Sequence, residues 1–318
     1  MDFDGLFFRH QALASGVTDG QLRRARLRGE LLAVRPGAYV TAEHFCTLDS
    51  EEQHLLLARA MSEERSLVLS HQSAAIAWGM DVWGLPLARV HSTSGRSITA
   101  KTSRRRIIHG TALDDSESTV HQNLSLTTPA RTVVDIARTT DFERAVCVGD
   151  SALRRGLVTT RELNDAVTRA RHRTGVQRAA DAVAAMSDRS DSVGETRSRL
   201  ILVAAGLTPH LNQSVFDAMN RFVARPDFLF SGPWLCCEFD GEGKYGERPL
   251  DVRNNLMEEK RREDRTRDIG WAFTRFGWSN LADPAALVHQ VQRALDRVAR
   301  YPRPEGTFRA DVLPRYAF

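Results

Sequence analysis

The residues best suited to chemistry are carboxylates in two short stretches, Arg225-Pro226-Asp227-Phe228 and Cys237-Glu238-Phe239-Asp240-Gly241. Runs rich in apolar residues at 221–230 and 234–239 flank Ser231-Gly232-Pro233, the pattern of two strands joined by a Gly/Pro turn. Folding about that turn sets Asp227 nearly opposite Glu238, and side-chain alternation puts Glu238 and Asp240 on one face. Three carboxylates crowded at one end of a small sheet repel unless a cation or a proton sits among them. A divalent metal that handles phosphates, Mg2+ or Mn2+, takes hard oxygen ligands, and Asp227, Glu238 and the carbonyl after Glu238 could supply them. Such a metal makes hydroxide available near neutral pH and stabilises charge on a phosphate oxygen. A plainer role stays open for Asp227 and Asp240, because Asp at strand ends commonly builds turns.

The elements that must position these groups span about 190–300. A helix over 193–205 closes at Gly206, and a strand follows near 211–216. After the carboxylate hairpin come a charged helix over 252–268, a strand over 271–276 and a last helix over 284–299. The expected fold class is therefore α/β, in the order αβββαβα. Ser192-x-x-Glu195 is a capping-box pattern, so Glu195 has a structural role open to it.

This order, with Pro-Asp on one strand and Glu-x-Asp on the next, resembles the PD-(D/E)xK nuclease superfamily, and more narrowly its Vsr-like endonuclease domains. The residues that carry the resemblance are Glu195, Arg225-Pro226-Asp227, Glu238-Phe239-Asp240-Gly241, Lys244-Tyr245, Glu259 to Asp264, and Gly270-Trp271 leading to Thr274-Arg275-Phe276. It implies a restriction-endonuclease-like domain that hydrolyses phosphodiester bonds in DNA, with Asp227 and Glu238 as metal ligands, assisted by Asp240, and with Glu195 as an added helix carboxylate. The pattern expects lysine two residues after the strand Glu, where this chain has Asp240. Lys244 and Lys260 are the candidates to replace that cation, and Arg275 is a candidate phosphate contact.

Upstream, 1–49 reads as helix, turn, helix and hairpin, the layout of a winged helix-turn-helix. A first helix is expected over 6–14, and Thr18-Asp19-Gly20-Gln21 caps a second one running to Gly29. That second helix carries Arg23, Arg24, Arg26 and Arg28. Gln21 suits adenine, Arg24 suits guanine, and Arg23, Arg28 and the hairpin-tip Arg35 suit phosphate or groove contacts. Residues 50–189 read as a mostly helical α+β middle domain, and 301–318 as an irregular tail. Leu13 to Thr18, Arg35 to Val40, Ser70 to Ala75 and Thr128 to Asp135 resemble AbiEi-type antitoxins, whose winged helix binds DNA. That resemblance implies an alternative, a repressor that binds DNA without cutting it, with a cognate toxin or a defence-system component as partner. His71 and Asp135 tempt a catalytic reading, but without a nucleophile partner they suit packing or capping.

The whole chain has 318 residues, room for two or three domains, and a formal charge of +4, mildly basic and compatible with nucleic acid. No stretch approaches the roughly 20 apolar residues of a membrane helix, and the N-terminus lacks a signal-like apolar core. The four cysteines form no C-x-x-C and read as buried thiols. A cytoplasmic protein without a membrane partner is expected. A homodimer would let a nicking site cut both strands.

Overall fold

Small apolar residues recur at helical spacing through much of 129–185, whereas 228–240 holds short continuous apolar runs, Phe228-Leu229-Phe230 and Leu235-Cys236-Cys237, the mark of strands buried on both faces. The computed structural model describes residues 5–62, 67–95, 99–241 and 260–310. The protein is mixed α/β and divides into two compact units, Met1–Met186 and Ser187–Phe318.

The first unit begins with β1 (Leu6–Phe8), α1 (Arg9–Ala14), α2 (Asp19–Leu27), β2 (Leu31–Arg35) and β3 (Ala38–Thr41), the strands forming an antiparallel sheet in the order β1-β3-β2. Residues 6–14 are thus not one helix. Leu6 pairs with Val40 and Phe8 with Ala38, and Leu6, Ala38 and Val40 share one apolar cluster with Phe8 packed against it. Gln11 ends the strand by accepting the Phe8 amide proton at 2.9 Å. At α2 the Thr18 amide donates to Gln21 Oε1 at 2.7 Å and the Gln21 amide to Thr18 Oγ1 at 3.3 Å, closing a reciprocal cap.

Next come α3 (Ala42–Thr47), α4 (Ser50–Met61), β4 (Val68–Leu69), α5 (His71–Ala77), β5 (Val90–Gly95), β6 (Lys101–Thr102), β7 (Arg106–Ala112), β8 (Ser118–His121) and β9 (Leu124–Thr127). Strands β4 to β9 build a mixed sheet in the order β6-β7-β5-β4-β9-β8. Helices α6 (Pro129–Thr139), α7 (Phe142–Arg154), α8 (Thr160–Arg169) and α9 (Val176–Ala185) pack mainly on one another, with α5 also against α6. Helix α6 is buried along most of its length and carries an ion network: Arg131 reaches Glu117 at 2.6 Å and Asp135 at 2.7 Å, and Arg138 reaches Asp135 at 2.8 Å. Asp135 is held here as the acceptor of two arginines.

The second unit contains α10 (Val193–Ala204), β10 (His210–Leu211), β11 (Gln213–Phe216), β12 (Phe222–Ala224), β13 (Phe228–Phe230) and β14 (Leu235–Asp240). Then follow the described part of α11 (260–268), β15 (Ala272–Gly277), α12 (Trp278–Leu281), α13 (Pro284–Val298) and β16 (Thr307–Ala310). One sheet runs β10-β13-β14-β15, with β14 and β15 parallel; the other runs β12-β11-β16. The apolar run 221–230 is therefore two strands in two sheets. Pro226 lacks an amide proton and cannot continue a ladder, so the chain changes sheets at Arg225-Pro226-Asp227. Residues 307–310, expected in an irregular tail, form a strand paired with β11.

Alternation sorts the faces of the first of these sheets. Phe228, Phe230, Leu235, Cys237 and Phe276 join α10, α12 and α13 in one core, each large apolar side chain contributing about 1.5–3 kcal/mol by burial. Leu229 and Cys236 point to the opposite face and meet Val215 and Trp271.

Candidate carboxylate site

Phe228 pairs with Cys237, so the next residues along the two strands, Asp227 and Glu238, lie beside one another at the strand ends, and Glu238 alternates to the face away from that larger core. Asp227 stands at the sheet change just before β13, and its Oδ2 accepts the Phe239 amide proton at 2.7 Å. Burial pushes the Asp227 carboxyl well above its ordinary range, the nearby carboxylates of Glu195, Glu238 and Asp191 push the same way, and the Phe239 amide opposes them. The side chain favours a proton, or a cation in its place.

Glu195 lies in the first turn of α10 and is nearly buried. Ser192 caps the helix through the Glu195 amide at 3.1 Å and donates its hydroxyl to Glu195 Oε1 at 2.9 Å, while the Asp191 amide donates to Oε2 at 2.7 Å. Glu195 thus fills a capping role and still acts on Asp227. Burial raises its pKa, against the pull of the Asp191 amide. Gly194 permits the close approach of α10: a Cβ there would lie 2.0 Å from the Phe239 ring. Asn212 joins the two acids, its amide donating to the Asp227 carbonyl at 3.0 Å and its side chain to Glu195 Oε2 at 3.5 Å. Its backbone sits at φ 48°, where Asn is tolerated better than most residues.

Arg275 on β15 stands directly opposite Glu238 in the parallel ladder. Its guanidinium lies 3.2 Å from Glu238, 3.5 Å from Asp240 and 3.3 Å from Glu263 on α11. It also lies over the Phe273 ring at 5.3 Å. Arg275, a candidate phosphate contact by sequence, faces the carboxylates of Glu238, Asp240 and Glu263 and so supplies part of the positive charge that the cluster needs. Asp191 pairs with Arg225. Sequence reasoning passed over Asp191 and Asn212, and named Glu263 only within the 259–264 stretch, because each converges on the site only through tertiary packing.

The structure brings Glu195, Asp227, Glu238, Asp240 and Arg275 to one end of the sheet. Lys260 is exposed at the start of the described part of α11, and Lys244 lies outside the described residues. On α2, Arg23 and Arg24 are exposed, Gln21 is used by the Thr18 cap, and Arg28 pairs with Glu30 at 2.6 Å. Arg35 turns back to donate to the Ala60 and Pro36 carbonyls and stacks over Phe8. Cys147, Cys236 and Cys237 are buried, Cys46, expected to be buried, is exposed, and no disulfide joins any of the four. Among the described residues no helix is long and apolar enough to cross a membrane.

No family model matches the chain. Two relatives from Mycobacterium tuberculosis, both named as uncharacterized proteins, come from strain CDC 1551 / Oshkosh and strain ATCC 25618 / H37Rv. Each is 26% identical over 172 residues, 54% of this chain, and the match spans 62% of the relative's own length.

Proposed function

We propose that the second unit is a metal-dependent DNA endonuclease. The observation that carries this reading is the gathering of Asp227, Glu195, Glu238 and Asp240 at one end of the sheet, where burial and its acidic neighbours drive Asp227 toward a proton or cation. Asp227, Glu238 and Asp240 are hard oxygen donors of the kind Mg2+ or Mn2+ takes. Without metal their oxygens do not all converge, and Arg275 occupies two of the three, so loading has to draw them together. A metal held there would supply bound hydroxide near neutral pH and stabilise charge on the phosphate. Glu195 stands behind Asp227 and, through the Asp191 amide and Ser192, is fixed in orientation. Arg275 can neutralise Glu238 and Asp240 before substrate arrives and turn toward a phosphate oxygen when those carboxylates take up a cation. In the first unit, the exposed Arg23 and Arg24 on α2 give a basic surface for the DNA backbone.

A second reading, a DNA-binding repressor of the antitoxin type, is favoured by one observation: Arg275 already pairs with Glu238 and Asp240. Incubation of supercoiled plasmid and mismatched duplex DNA with the full chain separates the two. The nuclease reading requires nicking with Mg2+ or Mn2+ that chelation stops. Salt-sensitive binding without nicking would select the repressor.

A further inference from the structure

A second cluster lies in the first unit, outside the carboxylate site. In the parallel ladder of β5 and β7, His91 pairs with Ile107 and Thr93 with His109. Side chains alternate, so His91, Thr93 and His109 share one face of the sheet. Helix α5 packs on β5 and begins at His71, which is buried and held at φ 51°. One potential ligand atom from each of His71, His91 and His109 lies within 4.8 Å of the other two; among the described residues no other His, Cys, Asp or Glu group does so.

We propose that His71, His91 and His109 form a binding site for a divalent transition metal of the zinc type, with one coordination position left for water. Three imidazoles with an open fourth position are a known zinc ligand set. Zn–N bonds of about 2.0–2.1 Å in tetrahedral geometry place ligand ring centroids about 5 Å apart. His91 and His109 are 5.2 Å apart and His71 and His91 5.5 Å, so two of the three pairs already have that spacing. His71 and His109 are stacked at 3.7 Å, and that pair opens on loading.

Burial, helped by the neighbouring imidazoles, pushes His71 well below its ordinary pKa and His91 down to about 3, and burial lowers His109 as well. Each shift favours the neutral imidazole, the form that ligates metals. An independent observation concerns Thr93: its side chain is 0% exposed, and its Oγ1 makes no hydrogen bond within the described structure. It lies beside His109 on the same face, where a metal-bound water would satisfy it. Gln72 supplies the orienting contact. Its Nε2 donates to the Pro86 carbonyl at 3.1 Å and to His91 Nε2 at 3.0 Å, which leaves the His91 proton on Nδ1, 3.0 Å from His109 Nε2. Metal at Nδ1 moves that proton to Nε2, and Gln72 turns its carbonyl oxygen to accept it, the usual arrangement behind a ligating histidine, giving up its bond to the Pro86 carbonyl in doing so.

The test uses the full chain carrying Asp227→Asn and Glu238→Gln, so that the carboxylate site is disabled. Chelator-stripped protein is titrated with Zn2+ by calorimetry and with Co2+ by visible absorption. One saturable equivalent per chain, with the intense band of tetrahedral cobalt, is expected. His91→Gln and His109→Gln should each weaken binding by about 100-fold or more, since even the loss of an orienting partner costs about 10–100-fold. His71→Asn removes the imidazole with a residue that tolerates the left-handed backbone, and it should do the same. X-ray absorption on the loaded, unsubstituted histidine set should count three imidazoles, a readout that does not depend on the variants folding. No saturable binding, fewer than three imidazoles, or unchanged affinity in folded His91→Gln and His109→Gln proteins would overturn the proposal.

Discussion

Glu238 and Arg275 stand opposite one another across β14 and β15, and the guanidinium closes on the carboxylate at 3.2 Å while also reaching Asp240 and Glu263. One arginine thus holds three acids that a metal would otherwise have to neutralise. Arg275→Gln should destabilise the metal-free protein by about 1–3 kcal/mol, a modest figure because Arg275 and Asp240 are partly exposed. Mn2+ should recover most of that loss and bind the variant more tightly than the wild type. Thermal unfolding with and without Mn2+ measures both; an identical loss in the two conditions would mean that the metal does not bind among these acids.

Asp227 gives a pH signature. Its folded-state pKa is raised by burial and by Glu195 and Glu238. The contribution of its protonated form is fully present below the ordinary aspartate range and is lost as pH rises through the raised value. Asp227→Asn should therefore match the wild type in acid and exceed it by about 0.5–2 kcal/mol near pH 8 without metal. Denaturant titrations at several pH values read this directly. A variant less stable than the wild type near pH 8 would show that Asp227 is there for structure.

Gly194 sets how closely α10, and with it Glu195, approaches β14. A Cβ would meet the Phe239 ring at 2.0 Å, and that ring is packed edge-on against Phe276 and Trp278. Gly194→Ala should cost about 1–3 kcal/mol by overpacking. Because it displaces Glu195, it should also weaken Mn2+ binding, which calorimetry on the folded variant checks.

In the first unit, Arg131 holds Glu117 and Asp135 with all three side chains about 2% exposed or less. Burial alone would raise the pKa of Glu117; Arg131, the Asp114 amide and Arg173 outweigh it and lower the value. Arg131→Ala leaves two buried carboxylates short of their partner and should cost about 3–5 kcal/mol in urea unfolding at pH 7. That contribution should also fade as acid protonates Glu117, since a lowered carboxylate pKa stabilises only above it.

Much of the second unit was legible because its signals are local. Ser192 before α10, Gly206 after it and the Gly/Pro turn between β13 and β14 are short-range features that place Asp227 beside Glu238. The split of 221–230 into two sheets needed the weight of Pro226, whose missing amide outranks the apolar run around it. At the N-terminus, Leu6–Phe8 looks helical in isolation and becomes a strand only because Ala38 and Val40 are there to pair with it. The gathering of Arg275, Glu263, Asn212 and Asp191 depends on tertiary contact, as does that of His71, His91 and His109, whose spacing along the chain follows no ligand motif. His71 carried a signal only as a titratable residue at the start of an Ala-rich helix, which sequence alone cannot tell from packing or capping.

The most direct test is the rate at which wild type, Asp227→Asn and Glu238→Gln nick supercoiled DNA at saturating Mn2+, each shown to be folded. A metal site at Asp227 and Glu238 gives metal-dependent nicking by the wild type and a loss of at least about 100-fold in both variants. Equal rates in all three proteins, or no nicking by the wild type on any duplex, would contradict it.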